Sequence, residues 1–172
     1  LRAATREPYG VLVDVLAYAG VRIGEALALR RRGVDLFGRR LVVSESLSEV
    51  AGRLSFEAPK GGKTRSVTLP RFLADDLAGY LAGHVPADPD ALLFTGRTGK
   101  PLHYNAWRTW TWDPAVKTAG LVGVTPHDLR ATCGSWVAEE YGRPGGSTAP
   151  RTLLRVGDNT ALRPRSGRRG LG

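Results

Sequence analysis

Apolar positions near the start of the chain fall three and four apart: Val11, Leu12, Val15, Leu16 and Tyr18 within "EPYGVLVDVLAYA", residues 7–19. That period predicts a helix, and Gly20 supplies its stop. A second helix is predicted over "RIGEALALRR", residues 22–31, with Ile23, Ala26, Leu27 and Leu29 on its apolar side. The period then changes. "RLVVSES" (40–46), "RLSFEA" (53–58) and "TRSVTL" (64–69) are alternating or β-branched and separated by glycine-rich turns, which predicts a small antiparallel sheet. Helical spacing returns at "PRFLADDLAGYLAGH" (70–84), with proline in the first turn and Phe72, Leu73, Leu77, Tyr80 and Leu81 in one stripe. A short "ALLFT" and the loop "GRTGKPL" lead to a tryptophan-rich helix over 103–119 and a last helix over His127–Tyr141. The expected class is α+β, mostly helical with a small antiparallel sheet.

After Gly142 the pattern stops. Residues 143–172 hold six Gly, three Pro and seven Arg, with no Lys, Glu or aromatic residue and no sustained apolar period. Such a segment is not expected to pack as a regular element. The expected organisation is one domain over 1–142 and an irregular Arg/Gly/Pro-rich tail over 143–172.

Composition adds three constraints. Of 172 residues, 42% are apolar, enough to fill one core. No run is long and apolar enough to cross a bilayer, and no export leader is visible, so a soluble cytoplasmic protein is expected. The net charge is +9, but the tail carries seven Arg against one Asp, which leaves residues 1–142 at only +3. Bulk charge therefore argues weakly for a polyanionic partner, and particular residues must carry that case. The single cysteine, Cys133, cannot form a disulfide framework and reads as a buried inert thiol.

Three separated stretches gather polar chemistry. "AYAGVRIGEALAL" (17–29) puts Arg22 at a helix start with Glu25 one turn on. "APKGGKTRSVTLP" (58–70) puts Lys60 and Lys63 on a predicted hairpin tip, and "TPHDLR" (125–130) opens a helix with His127 and Arg130. Alone, a histidine and an arginine three apart are ordinary neighbours on a solvated helix face. "GGKT" is not a Walker loop: its first glycine would fall at Glu57, and the residues that follow read as a strand rather than a helix. No nucleotide cofactor is expected. His84 and His103 lack metal-ligand spacing and read as surface residues, so no metal is expected. Trp107, Trp110 and Trp112 could stack on bases, but their near-helical spacing favours the core.

Taken together, "G-x-R-x-x-E-x-x-x-L", a lysine hairpin leading to "R-x-V-x-L-P", and "T-P-H-D-L-R" resemble the catalytic domain of the tyrosine recombinases, the phage integrase family. The resemblance covers residues 7 to 142. It implies site-specific recombination or integration of double-stranded DNA through a phosphotyrosine intermediate, with no cofactor and no membrane, by a prokaryotic or phage-derived, nucleoid-associated protein that forms a homo-oligomer on DNA. By resemblance Arg22 and Arg130 would clamp the scissile phosphate, and Lys60, preferred over Lys63, would protonate the leaving oxygen. His127 would hydrogen-bond the phosphate or assist the tyrosine's proton, and Glu25 would orient Arg22. Lys63 and Arg108 would add DNA contacts. Arginine pairs suit this role because they stay charged and hold non-bridging oxygens bidentately.

The resemblance also sets an expectation of inactivity. The family's second histidine and its nucleophilic tyrosine would fall near Leu153 and Leu162, yet no histidine or tyrosine follows Tyr141. Tyr141 lies eleven residues after Arg130, where the family has a packing helix. The abrupt change at residue 143 is what an out-of-frame reading of a GC-rich gene tends to produce, so the tail is expected to be frameshifted or decayed. By the same resemblance, the family's separate N-terminal DNA-clasping domain is expected to be missing.

Overall fold

A computed structural model of the chain describes residues 1–59 and 61–141, with side chains as far as residue 135. Lys60, the side chain of Tyr141 and the 143–172 tail lie outside the described residues. The α+β class holds: among the described residues six α-helices and five short strands share one apolar core.

Helix α1 (Gly10–Tyr18) is buried along almost its whole length, including Asp14, whose carboxylate pairs with the Arg2 guanidinium. It ends at Gly20, whose φ of +60° is the left-handed conformation that closes a helix. Helix α2 (Ile23–Leu27) is shorter than the predicted 22–31. Residues 29–31 leave the helix to pair with residues 91–93, through Leu93 N–H to Leu29 O at 2.8 Å and Arg31 N–H to Ala91 O at 2.9 Å. The Arg31 guanidinium then donates to Leu81, Val85 and Pro86 carbonyls at 3.1, 3.0 and 3.3 Å, where helix α3 (Arg71–His84) ends. In α3 the predicted stripe is buried at Leu73, Leu77, Tyr80 and Leu81, whereas Phe72 sits at its margin, edge-on to Tyr18 at 4.8 Å.

The strands depart from the predicted single sheet. β1 (Val34–Asp35), β2 (Arg40–Val43) and β5 (Arg65–Thr68) form one sheet, and β3 (Ser46–Val50) and β4 (Arg53–Glu57) form another. The chain runs outward through β2 and β3 and returns through β4 and β5, pairing Ser46 with Glu57 and Val43 with Arg65. The tip of this ribbon is Ala51–Gly52, both at positive φ, as a type I′ turn requires. Lys63 is therefore not at a hairpin tip, as the sequence suggested. It lies exposed in the 58–64 loop that interrupts the returning strand. The paired glycines Gly61 and Gly62, both at positive φ, do mark a turn, but β4 and β5 each take an outward strand as partner instead of each other.

The tryptophan-rich segment is three pieces: α4 (Tyr104–Trp107), a π-helical turn (Arg108–Trp112) and α5 (Asp113–Thr118). The π turn bonds residues five apart and so turns Trp107 and Trp112 to the same side. Their rings lie 5.6 Å apart, both in the core. Trp110 is 74% exposed, which corrects the reading that placed all three tryptophans inside. No helix among the described residues is long and apolar enough to cross a membrane.

Candidate functional site

Glu25 is the centre of the site. Its side chain is 0% exposed although it is a carboxylate, and three guanidiniums from three elements surround it. Arg22 precedes α2, and its backbone N–H donates to Glu25 Oε2 at 2.8 Å, the reciprocal half of a capping box. Its Nη1 lies 3.3 Å from Oε1. Arg65 reaches in from β5 with both prongs, Nη1 to Oε1 at 2.8 Å and Nη2 to Oε2 at 2.6 Å. Arg130 arrives from α6 (Pro126–Tyr141), with Nη1 3.9 Å from Oε2 and donating to the Gly20 carbonyl at 2.9 Å.

Local structure explains why these groups meet. Gly24 faces β3 so closely that a Cβ there would lie 2.7 Å from the Leu47 carbonyl oxygen, which seats α2 against the ribbon. At Gly20 a Cβ would lie 3.0 Å from Cys133 Sγ, so α6 passes tightly over the end of α1. Cys133 is half-buried, its thiol 3.7 Å from the Tyr18 carbonyl, and burial pushes its pKa up. The start of α6 is fixed twice. Trp112 Nε1 donates to the Val124 carbonyl at 3.2 Å, and Thr125 donates through its N–H and its hydroxyl to Asp128 Oδ2, each at 2.7 Å. Asp128 thus already places a carboxylate at this helix end, and the positive character of the site comes from guanidiniums.

The charges confirm the crowding. Burial raises the pKa of Glu25, but the Arg65 fork and the Arg22 N–H outweigh it and hold the carboxyl at about 2. Burial and the charge of Arg22 bring Arg130 below its ordinary value; Glu25 opposes this and Arg65 adds to it. Three cations around one anion leave about two positive charges uncompensated, and the guanidiniums are 40%, 35% and 32% exposed for Arg22, Arg65 and Arg130. An oxyanion is what such a surface accepts.

A pH dependence follows. The folded pKa of Glu25 lies below its ordinary 4.5, so the stability it contributes is complete above that value and is lost as pH falls towards about 2. The loss is on the order of 3 kcal/mol. Acid titration by circular dichroism should show it between those limits, and Glu25→Gln should flatten the profile there.

Of the residues singled out in the sequence, the structure brings together Arg22, Glu25 and Arg130. His127 stands exposed on the first turn of α6, one turn before Arg130, and Lys63 is exposed in the 58–64 loop. Arg108 lies away from this cluster on the π turn, 3.5 Å from Asp113. Both other histidines are on the surface, His103 within 3.2 Å of Glu49 and His84 beside the Tyr80 ring at 5.1 Å. Among the described residues no three His, Cys, Asp or Glu side chains gather as metal ligands. Arg65 was missed. Its signal was present in "R-x-V-x-L-P", where the first residue of a strand is an arginine just after the lysines, but nothing local shows that it faces Glu25.

A mostly helical domain with a bent β-ribbon and an arginine cluster at the junction of α2, β5 and α6 defines the class. The chain belongs to the phage integrase family, whose model matches residues 3–142. It is 29% identical over 159 residues to the prophage phiRv2 integrase of Mycobacterium tuberculosis H37Rv, covering 87% of this chain and 42% of that protein. It is 28% identical over 136 residues to the tyrosine recombinase XerA of Thermococcus kodakarensis, covering 79% and 43%. Its fold matches that of the Tn1549 transposon integrase in complex with circular intermediate DNA, with a TM-score of 0.68 at 20% identity over 79% of this chain and 48% of that one. The chain thus spans about two fifths of the length of these curated relatives.

Proposed function

We propose that Arg22 and Arg130 grip one phosphodiester of duplex DNA, in a domain built for strand breakage and rejoining. The carrying observation is that both guanidiniums are tethered to the same buried carboxylate yet remain about a third or more exposed. In strand cleavage a tyrosine oxygen would attack phosphorus, the 5′ oxygen would leave with a proton, and negative charge would build on the non-bridging oxygens. Two preorganised guanidiniums stabilise that charge without reorganising. Lys60 or Lys63, on the loop that ends at Arg65, would supply the proton, with His127 beside the phosphate. A second copy on the same DNA belongs to this reading, since strand exchange joins ends held by different subunits.

A second reading is a duplex-binding module that does not cut, since between Arg130 and Gly172 the sequence holds one tyrosine, Tyr141. A covalent bond to phosphorus cannot form without an aligned nucleophile. The two readings separate on a nicked suicide substrate. A covalent adduct abolished by Tyr141→Phe makes the chain an enzyme, and its absence leaves the binding module.

Both readings predict binding of a labelled duplex that weakens steeply with salt. Arg22→Ala or Arg130→Ala should each weaken it about tenfold and lower the salt slope by about one. Fluorescence anisotropy across a salt series measures both quantities, and parental binding in both variants would end the phosphate reading.

A further inference from the structure

Arg65 makes the closest contacts in the cluster. Its two prongs occupy one position on each oxygen of Glu25 at 2.8 and 2.6 Å, and the Arg22 N–H occupies another at 2.8 Å. A carboxylate offers about four lone-pair positions. The side chains of Arg22 and Arg130 are left with longer contacts, 3.3 and 3.9 Å. The backbone of Arg65 is held in the ladder opposite Val43.

We infer that Arg65 is a positioning residue: by taking the closest positions on Glu25 it leaves the guanidiniums of Arg22 and Arg130 only longer contacts to the carboxylate, with donors beyond these and the Arg130 bond to the Gly20 carbonyl left over for a phosphate. This rests on the phosphate reading given above and adds a cause to it. Without Arg65, the buried carboxylate would draw Arg22 and Arg130 into close ion pairs and compete with the ligand for the same N–H groups. A lysine would not reproduce it, since an ammonium lacks the planar fork that sets one parallel N–H on each oxygen. The same residue ends the 58–64 loop, so it also fixes where the lysine-bearing segment joins the arginine cluster.

The competing account makes Arg65 a third phosphate ligand or a simple prop, and a double variant separates these. Binding of a short fluorescein-labelled duplex to the full chain is measured for the parent, Arg65→Ala, Arg65→Lys and Arg65→Ala with Glu25→Gln. Arg65→Ala and Arg65→Lys should each weaken binding about tenfold near neutral pH, and the double variant should recover to within about threefold of the parent, because the captured arginines are released. The glutamine keeps a carbonyl acceptor for the Arg22 N–H.

A double variant as weak as Arg65→Ala overturns the inference. Melting curves accompany every variant, and Arg65→Gln takes the place of Arg65→Ala if the latter does not fold. If Arg22→Ala and Arg130→Ala bind like the parent, the phosphate reading fails; if they weaken binding while the double variant stays weak, only the role of Arg65 fails.

Discussion

Glu25→Ala is expected to cost about 3–5 kcal/mol of stability, the range for removing one partner of a buried charge pair. The carboxylate has no exposed surface and answers a backbone N–H, a two-pronged guanidinium and two further cations. Without it, Arg22, Arg65 and Arg130 face one another across a void, and their mutual repulsion already acts on Arg130. At about 2–4 °C per kcal/mol for a chain of this size, the melting temperature should fall by roughly 10 °C. Glu25→Gln should cost less, because it keeps an acceptor for the Arg22 N–H. Thermal melts followed by circular dichroism decide the matter. A shift no larger than that of an exposed substitution would mean that the three arginines are as well hydrated apart as they are paired.

Trp107→Ala is expected to cost a similar amount, about 3–5 kcal/mol, by a different mechanism. Trp107 is 2% exposed, with its ring 5.6 Å from Trp112 and 6.4 Å from Tyr104. Its indole nitrogen has no hydrogen-bond partner among the described residues, so truncation removes packing and opens a cavity without breaking a polar contact. Trp110→Ala, three residues away and 74% exposed, should stay within about 0.5 kcal/mol of the parent. Urea unfolding of the two variants tests the face of the π turn directly. Equal losses in both would show that the turn does not separate the rings as described.

The helices were legible because a buried stripe leaves a period in the sequence. α1, α3 and α6 fall where their apolar spacing and their glycine and proline signals put them, within three residues at each end. The strands were legible as strands but not as partners. Their alternation says which residues are extended and nothing about whether β5 pairs with β4 or with β2. The same limit hid the π turn, since one altered turn inside a helix leaves the residue types unchanged and only rotates Trp110 outward.

The site divides in the same way. Arg22, Glu25 and Arg130 were found because their spacing within two motifs is recognisable one motif at a time. Arg65 was not, because its importance rests on a contact forty residues away in sequence. What the sequence alone determined is the set of elements and the charged groups each one carries, since periodicity and local motifs are written into consecutive residues. What only the tertiary structure decided is that three of those cations share one buried anion. That outcome depends on two close approaches, α2 onto β3 at Gly24 and α6 onto α1 at Gly20, which bring distant segments within hydrogen-bond reach.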